Sequence, residues 1–174
     1  MKIETSQTVK ICLTELECLD PVDIVVDDYA LGKGKITIGC AGKAWTATWY
    51  AMSDRTVAQL ITDCDSDYLI GCLSPQLDPC LDADNEANVA FVKSEIIKLR
   101  RDRELSEMEA RDAWEAASSS VEVKGDVCHC SAHSPLQGVL GDDPYYANWP
   151  SIKNHHYAYL SRIVTAVKAG LAHG

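Results

Sequence analysis

Two hydrophobic periods follow one another along this chain, first an alternation of two residues and then a repeat near 3.6. Val9, Ile11 and Leu13 alternate with Thr8, Lys10 and Cys12. A period of two sends successive side chains to opposite faces of a strand, so a first strand is expected from about Thr8 to Thr14. Beyond the turn signal Leu19-Asp20-Pro21, Val22, Ile24 and Val26 alternate with Asp23, Val25 and Asp27. This gives a second strand whose outer face carries carboxylates. Gly32-Lys33-Gly34 then turns the chain. Ile36, Ile38 and Cys40 continue the alternation, as do Trp45, Ala47 and Trp49, and the break between them at Ala41-Gly42-Lys43 supplies a glycine for positive φ. Four consecutive strands of this kind predict an antiparallel meander with one packed face. On that face Trp45 and Trp49 are expected as core residues against Val57, Leu60 and Ile61.

From Ser53 the period is helical. Val57, Leu60, Ile61 and Cys64 recur behind Ser53 and Asp54, either of which can cap a helix by accepting a bond from a free N–H. Asp65-Ser66-Asp67 interrupts that helix. Tyr68 to Leu73 is apolar enough to be buried, as either helix or strand. Ser74-Pro75 and Asp78-Pro79 mark a loop, because proline restricts the residue before it. Val89, Val92, Ile96 and Leu99 then form a helical stripe, and Ser106 with Glu109 matches a capping box opening a second helix to about Ala117. Asn154 can cap a last helix, whose stripe is Tyr157, Leu160, Ile163, Val164, Val167 and Leu171. The expected fold is α+β. An N-terminal four-stranded antiparallel sheet covered by a helix is followed by a helical hairpin and a C-terminal helix. The expected organisation is a single domain over 1–174: 1–80 mainly sheet plus helix, 85–117 the helical hairpin, 118–152 irregular, and 153–172 the C-terminal helix.

Composition narrows the class without naming a chemistry. Hydrophobic residues make up 47% and charged residues 24% of 174 positions, the proportions of a globular domain. The opening MKIETSQTVK has no apolar core of a signal peptide, and no apolar run approaches the roughly 20 residues that span a bilayer. A cytoplasmic protein with reduced thiols is expected, its eight cysteines acting mainly as small hydrophobes, Cys12, Cys40 and Cys64 among them. Net charge is −10, and residues 1–90 hold 15 acidic against 6 basic side chains. Such a field repels phosphate backbones and favours a partner protein with a basic surface. Asp23 and Asp27 on the second strand, with Asp63, Asp65 and Asp67 at the adjoining helix end, are the candidate partner-binding residues, gathered on one side.

Other clusters carry weaker chemistry. Cys128, His129, Cys130 and His133 fall within six residues, but zinc sites usually pair two separated knuckles and no second one exists here, so Cys80, His155 or His156 would have to join them. Asp63 to Asp67 and Asp82 to Glu86 resemble the opening of a calcium loop, yet Tyr68 or Ala87 stands where glycine is required and Ser74 or Lys93 where a glutamate is required. Gly32-Lys33-Gly34-Lys35 lacks the spacing of a phosphate loop. No catalytic residue and no cofactor is expected. Lys98-Leu99-Arg100-Arg101-Asp102-Arg103 is the one basic cluster, read as a solvated helix end offsetting the helix dipole. Pro144 to Pro150 packs Tyr145, Tyr146 and Trp149 into a loop, read as an anchor onto the domain's own core.

Leu19-Asp20-Pro21-Val22, Gly32 to Ile38, Trp45-Thr46, Asp67-Tyr68-Leu69, the region Arg111 to Trp114, and Tyr157 to Val164 together give a likeness. In these segments the chain resembles the small, mostly uncharacterised accessory proteins encoded by tailed bacteriophages and prophages. The resemblance brings no catalytic residues and does not cover the middle of the chain from Ser118 to Trp149. It implies a phage protein made in the host bacterial cytoplasm, of a kind that binds and disables a host component, in an anti-CRISPR-like role toward a bacterial defence complex. The leading expectation is therefore a non-enzymatic acidic protein that inhibits a host protein through its acidic surface. The alternatives are a metal-stabilised structural or regulatory module using Cys128, Cys130 and His133, and a small enzyme with no recognisable motif.

Overall fold

A computed structural model describes residues 8–131 and 133–173. The chain divides into two compact units: residues 1–79 with 154–174, and residues 80–153. The first unit is built on strands β1 (Val9–Leu13), β2 (Val22–Ala30), β3 (Lys33–Cys40) and β4 (Lys43–Trp49), paired antiparallel in the order β1-β2-β3-β4. This is the meander expected from the alternation. Cys40 pairs with Lys43, and the two residues between them, Ala41 and Gly42, have φ of 48° and 74°. Positive φ at both loop positions suits a two-residue hairpin, because that turn's twist matches the twist of the strands it joins.

Three helices cover one face of this sheet: α1 (Val57–Asp63), α2 (Ser66–Leu73) and α6 (His155–His173). Val22, Ile24, Ile36 and Ile38 from the sheet share one buried core with Val57, Ile61, Leu69, Ile70, Ile163 and Val167 from the helices. The segment Tyr68 to Leu73 is thus helical. The cap of α1 lies neither at Ser53 nor at Asp54. Thr56 accepts from the Gln59 N–H and the Gln59 side chain accepts from the Thr56 N–H, closing a capping box. Asp28 accepts the Val57 N–H at 2.8 Å, so the end of β2 helps hold the start of α1. Asp65 caps α2 through the Tyr68 N–H at 2.7 Å, and Asn154 caps α6 through the His156 N–H at 3.0 Å.

Trp45 and Trp49 lie on the packed face but only partly buried at its margin, while Ala47 between them is buried. Both belong to β4, an edge strand with a neighbouring strand on one side only, and they pack against the core without being enclosed by it. Cys12 is exposed, on the other face of the edge strand β1, whereas Cys40 is buried.

The second unit holds a two-stranded ribbon and a small helical core of its own. Strand β5 (Cys80–Asp82) pairs antiparallel with β6 (Ser151–Lys153). Helices α3 (Asn85–Arg101) and α4 (Glu107–Ser119) form the expected hairpin, capped by Asp84 and by the box of Ser106 with Glu109. The segment expected to be irregular contains α5 (Val123–Cys128), a 3-10 turn at Pro144–Tyr146, and β6. Val123 and Val127 of α5 join Val92, Ile96, Ala113, Ala117, Leu136 and Val139 in the core of this unit.

Gly34 shows how close α1 approaches the sheet, since a Cβ there would lie 2.5 Å from Val57 Cγ2 and 2.6 Å from the Asp27 carbonyl oxygen. Gly34→Ala should therefore destabilise the protein by about 1–3 kcal/mol through overpacking. Ile36→Ala, at a fully buried centre, should cost about 2–5 kcal/mol. Trp49→Ala should cost less than the ~3–5 kcal/mol typical of a fully buried ring. Urea denaturation of the three variants tests the order, and a loss at Trp49 equal to that of a central core residue would contradict the marginal placement.

Candidate partner surface

The five carboxylates expected on one side occupy two sides of the sheet. Asp23 and Asp27 alternate with the buried Val22, Ile24 and Val26 and so belong to the outer face, away from α1, α2 and α6. Asp23 is exposed and lies 3.4 Å from Lys10 on β1. Asp27 is not exposed as expected: it retains 8% of its accessible surface and pairs in register with Lys35. Asp63, Asp65 and Asp67 are together, all exposed, at the junction of α1 and α2 on the helical side. The structure thus gathers three of the five and separates the other two. The sum of charge is also distributed differently from the sequence halves. Residues 1–79 with 154–174 hold 12 acidic and 8 basic residues, and residues 80–153 hold 14 and 8.

The junction is aromatic as well as acidic. The Tyr157 hydroxyl donates to Asp67 Oδ1 at 2.6 Å, and the Trp49 indole N–H donates to the Tyr68 hydroxyl at 3.2 Å. Asp63 lies 3.7 Å from the Arg55 guanidinium, both side chains being largely exposed, so this pair is worth little and leaves the carboxylate available. Lys168 donates to the Cys64 carbonyl between Asp63 and Asp65. Tyr157 is pushed up to about 12 because its proton is held by Asp67, with burial and the charge of Asp67 adding to the effect. Tyr68 is raised by its hydrogen bond to Cys72. Sequence alternation could not reveal this corner, since Trp49, Tyr68 and Tyr157 come from three separate elements.

Three exposed carboxylates thus stand beside a tryptophan and two tyrosines at this corner. A family model described as a phage family matches residues 1–173. The chain belongs to that phage family. No curated protein and no solved structure matches it.

The remaining clusters of the phage family chain are placed as follows. Cys128 ends α5, its thiol pushed up chiefly by burial, and lines with Cys130, Gly138 and Gly141 a cavity of about 270 Å³. His129 stacks edge-on with Tyr145, whose hydroxyl lies 2.9 Å from His129 Nε2. Among the described residues, no three of His, Cys, Asp and Glu stand together so as to hold a metal ion, and Cys128, Cys130 and His133 are no exception. In the aromatic loop the expected anchor is Trp149 alone, 5.3 Å from the Phe91 ring and donating to the Pro144 carbonyl at 2.8 Å. Tyr145 and Tyr146 are exposed. Among the described residues no helix is long and apolar enough to cross a membrane.

A hydroxyl whose folded-state pKa lies above its ordinary value near 10 stabilises the fold while protonated. That contribution is complete below pH 10 and is lost as pH rises from 10 through 12. Wild-type protein should therefore lose more stability over this interval than Tyr157→Phe, measured by urea denaturation at fixed pH. Equal losses would show that the bond to Asp67 does not bias ionisation.

Proposed function

We propose that this phage protein acts without catalysis, by binding a host protein and inhibiting it, and that a basic patch of the partner seats on the corner where α1 meets α2. The observation that carries the reading is the joint exposure of Asp63, Asp65 and Asp67 beside the Trp49–Tyr68 pair. Carboxylates in such a position steer a cationic surface during encounter, and the aromatic rings give the contact that water exclusion requires. Membership of a phage family supports the reading only as far as context: a phage protein meets host components, a bacterial defence complex among them. Asp23 and Asp27 have no part in this reading, being on the outer face of the sheet.

The test is quantitative pull-down from host lysate at low and high salt, comparing wild type with Asp63→Lys/Asp67→Lys. Asp65 is left in place because it caps α2. Recovery of the partner at low salt should fall at least about tenfold, equivalent to ~1.4 kcal/mol, and its salt dependence should flatten. Asp23→Lys should change neither. Full recovery with the double reversal at low salt would remove this corner as the site.

A further inference from the structure

We infer that the groove between α3 and α4 is a second docking surface, shaped for an acidic amphipathic segment of a partner protein. The groove has a volume of about 310 Å³, with Ile97, Ala110 and Trp114 along its apolar lining and Arg100, Arg101 and Arg111 around it. Ile97 is 39% exposed and Trp114 40% exposed, large apolar groups in helices whose opposite faces already fill the core of their unit. Lys93 adds a fourth cation, its ammonium 4.7 Å from the centre of the Trp114 ring. Two acids share the region: Glu107 lines the groove, and Glu115 lies 3.6 Å from Arg111 with both side chains largely exposed. Cations thus outnumber acids around an apolar floor, within a unit that is acidic in total.

That combination selects the occupant. An apolar furrow between two antiparallel helices receives a third helix through side chains spaced at i, i+3 or i+4 and i+7. The arginines then favour a segment whose apolar anchors are flanked by Asp or Glu, since guanidinium forks pair with carboxylates in bidentate fashion. A nucleic acid would meet the same arginines, but its phosphates and sugars offer no aliphatic anchors for the floor formed by Ile97, Ala110 and Trp114. This surface is independent of the corner at α1 and α2, and either can fail without the other.

The test is selection of binders to the full chain from a displayed library of random helical peptides, followed by anisotropy titration of the selected peptides. Expected is a consensus of apolar anchors flanked by Asp or Glu. Its affinity should fall at least tenfold with Trp114→Ala, and separately with Arg100→Glu/Arg111→Glu, an exposed pair whose change leaves the core intact. Circular dichroism confirms that each variant is folded. A basic or absent consensus, or equal binding by the arginine variant, overturns the inference. So does tighter binding of a single-stranded oligonucleotide than of any selected peptide. Self-association of wild type that Trp114→Ala abolishes would also overturn it, assigning the groove to a second copy of the chain.

Discussion

Burial of one face of the β1–β4 sheet is the constraint on which the rest of the structure depends. Val22, Ile24, Ile36 and Ile38 leave that face almost wholly apolar, and a single sheet exposing such a face is unstable in water. Helices α1 and α2 follow β4 directly in the chain. The third cover, α6, comes from the other end of the sequence and contributes Leu160, Ile163, Val164 and Val167. The sheet unit is therefore completed only when residues 154–173 return to it, and residues 80–153 are an insertion between two parts of one core. The return point is pinned by main-chain and side-chain bonds together. The Asn154 N–H donates to the Pro79 carbonyl at 3.0 Å, its side-chain amide donates to the Asp78 carbonyl at 2.8 Å, and its oxygen caps α6. One buried asparagine thus closes the insertion and starts the closing helix.

This arrangement decides where function can reside. Central positions of the sheet are committed to packing, and α1 can lie as close as it does only because Gly34 has no side chain. Surfaces not committed to that packing include the start of α2, the edge strand β4 with its half-buried tryptophans, the outer face of the sheet, and the surfaces of α3 and α4 turned away from their own core. Both proposed docking surfaces occupy such positions. They have opposite character, one acidic beside partly buried aromatics and the other an apolar furrow among arginines, so one partner chemistry does not suit both.

Much of this fold was legible in the sequence because its strands carry clean alternation and its helices carry stripes of Val, Ile and Leu. The meander, the Ala41-Gly42 turn, the Ser106–Glu109 box and the Asn154 cap are all local features, set by residues within a few positions of one another. What was not legible depends on contacts between distant segments. Ser53 and Asp54 are both able to cap α1, but Thr56 does so, with Gln59 three residues later completing its box. Trp45 and Trp49 have the right face, but their depth is set by which strand is the edge. Residues 118–152 show little periodicity because α5 is six residues long and its two buried valines, Val123 and Val127, make less than two turns of pattern. Alternation shows that Asp23 and Asp27 share a face of β2 without telling which face the helices cover, so their separation from Asp63, Asp65 and Asp67 appears only in the tertiary structure.

The same structure shows why net charge is a poor guide to a binding surface. A carboxylate that caps a helix start has one oxygen committed to a free N–H, as Asp65, Asp84 and Glu122 do, and so offers less to a partner than its formal charge suggests. Glu107 and Glu109 sit in the first turn of α4 and Lys98, Arg100 and Arg101 in the last turn of α3, each sign placed where the helix dipole favours it. Dipole placement alone therefore concentrates cations at the end of α3, within an acidic unit. Because Trp114 projects from the facing helix beside them, that local sign is joined to an apolar surface, and recognition there is set by which side chains the hairpin aligns and not by the −10 of the whole chain.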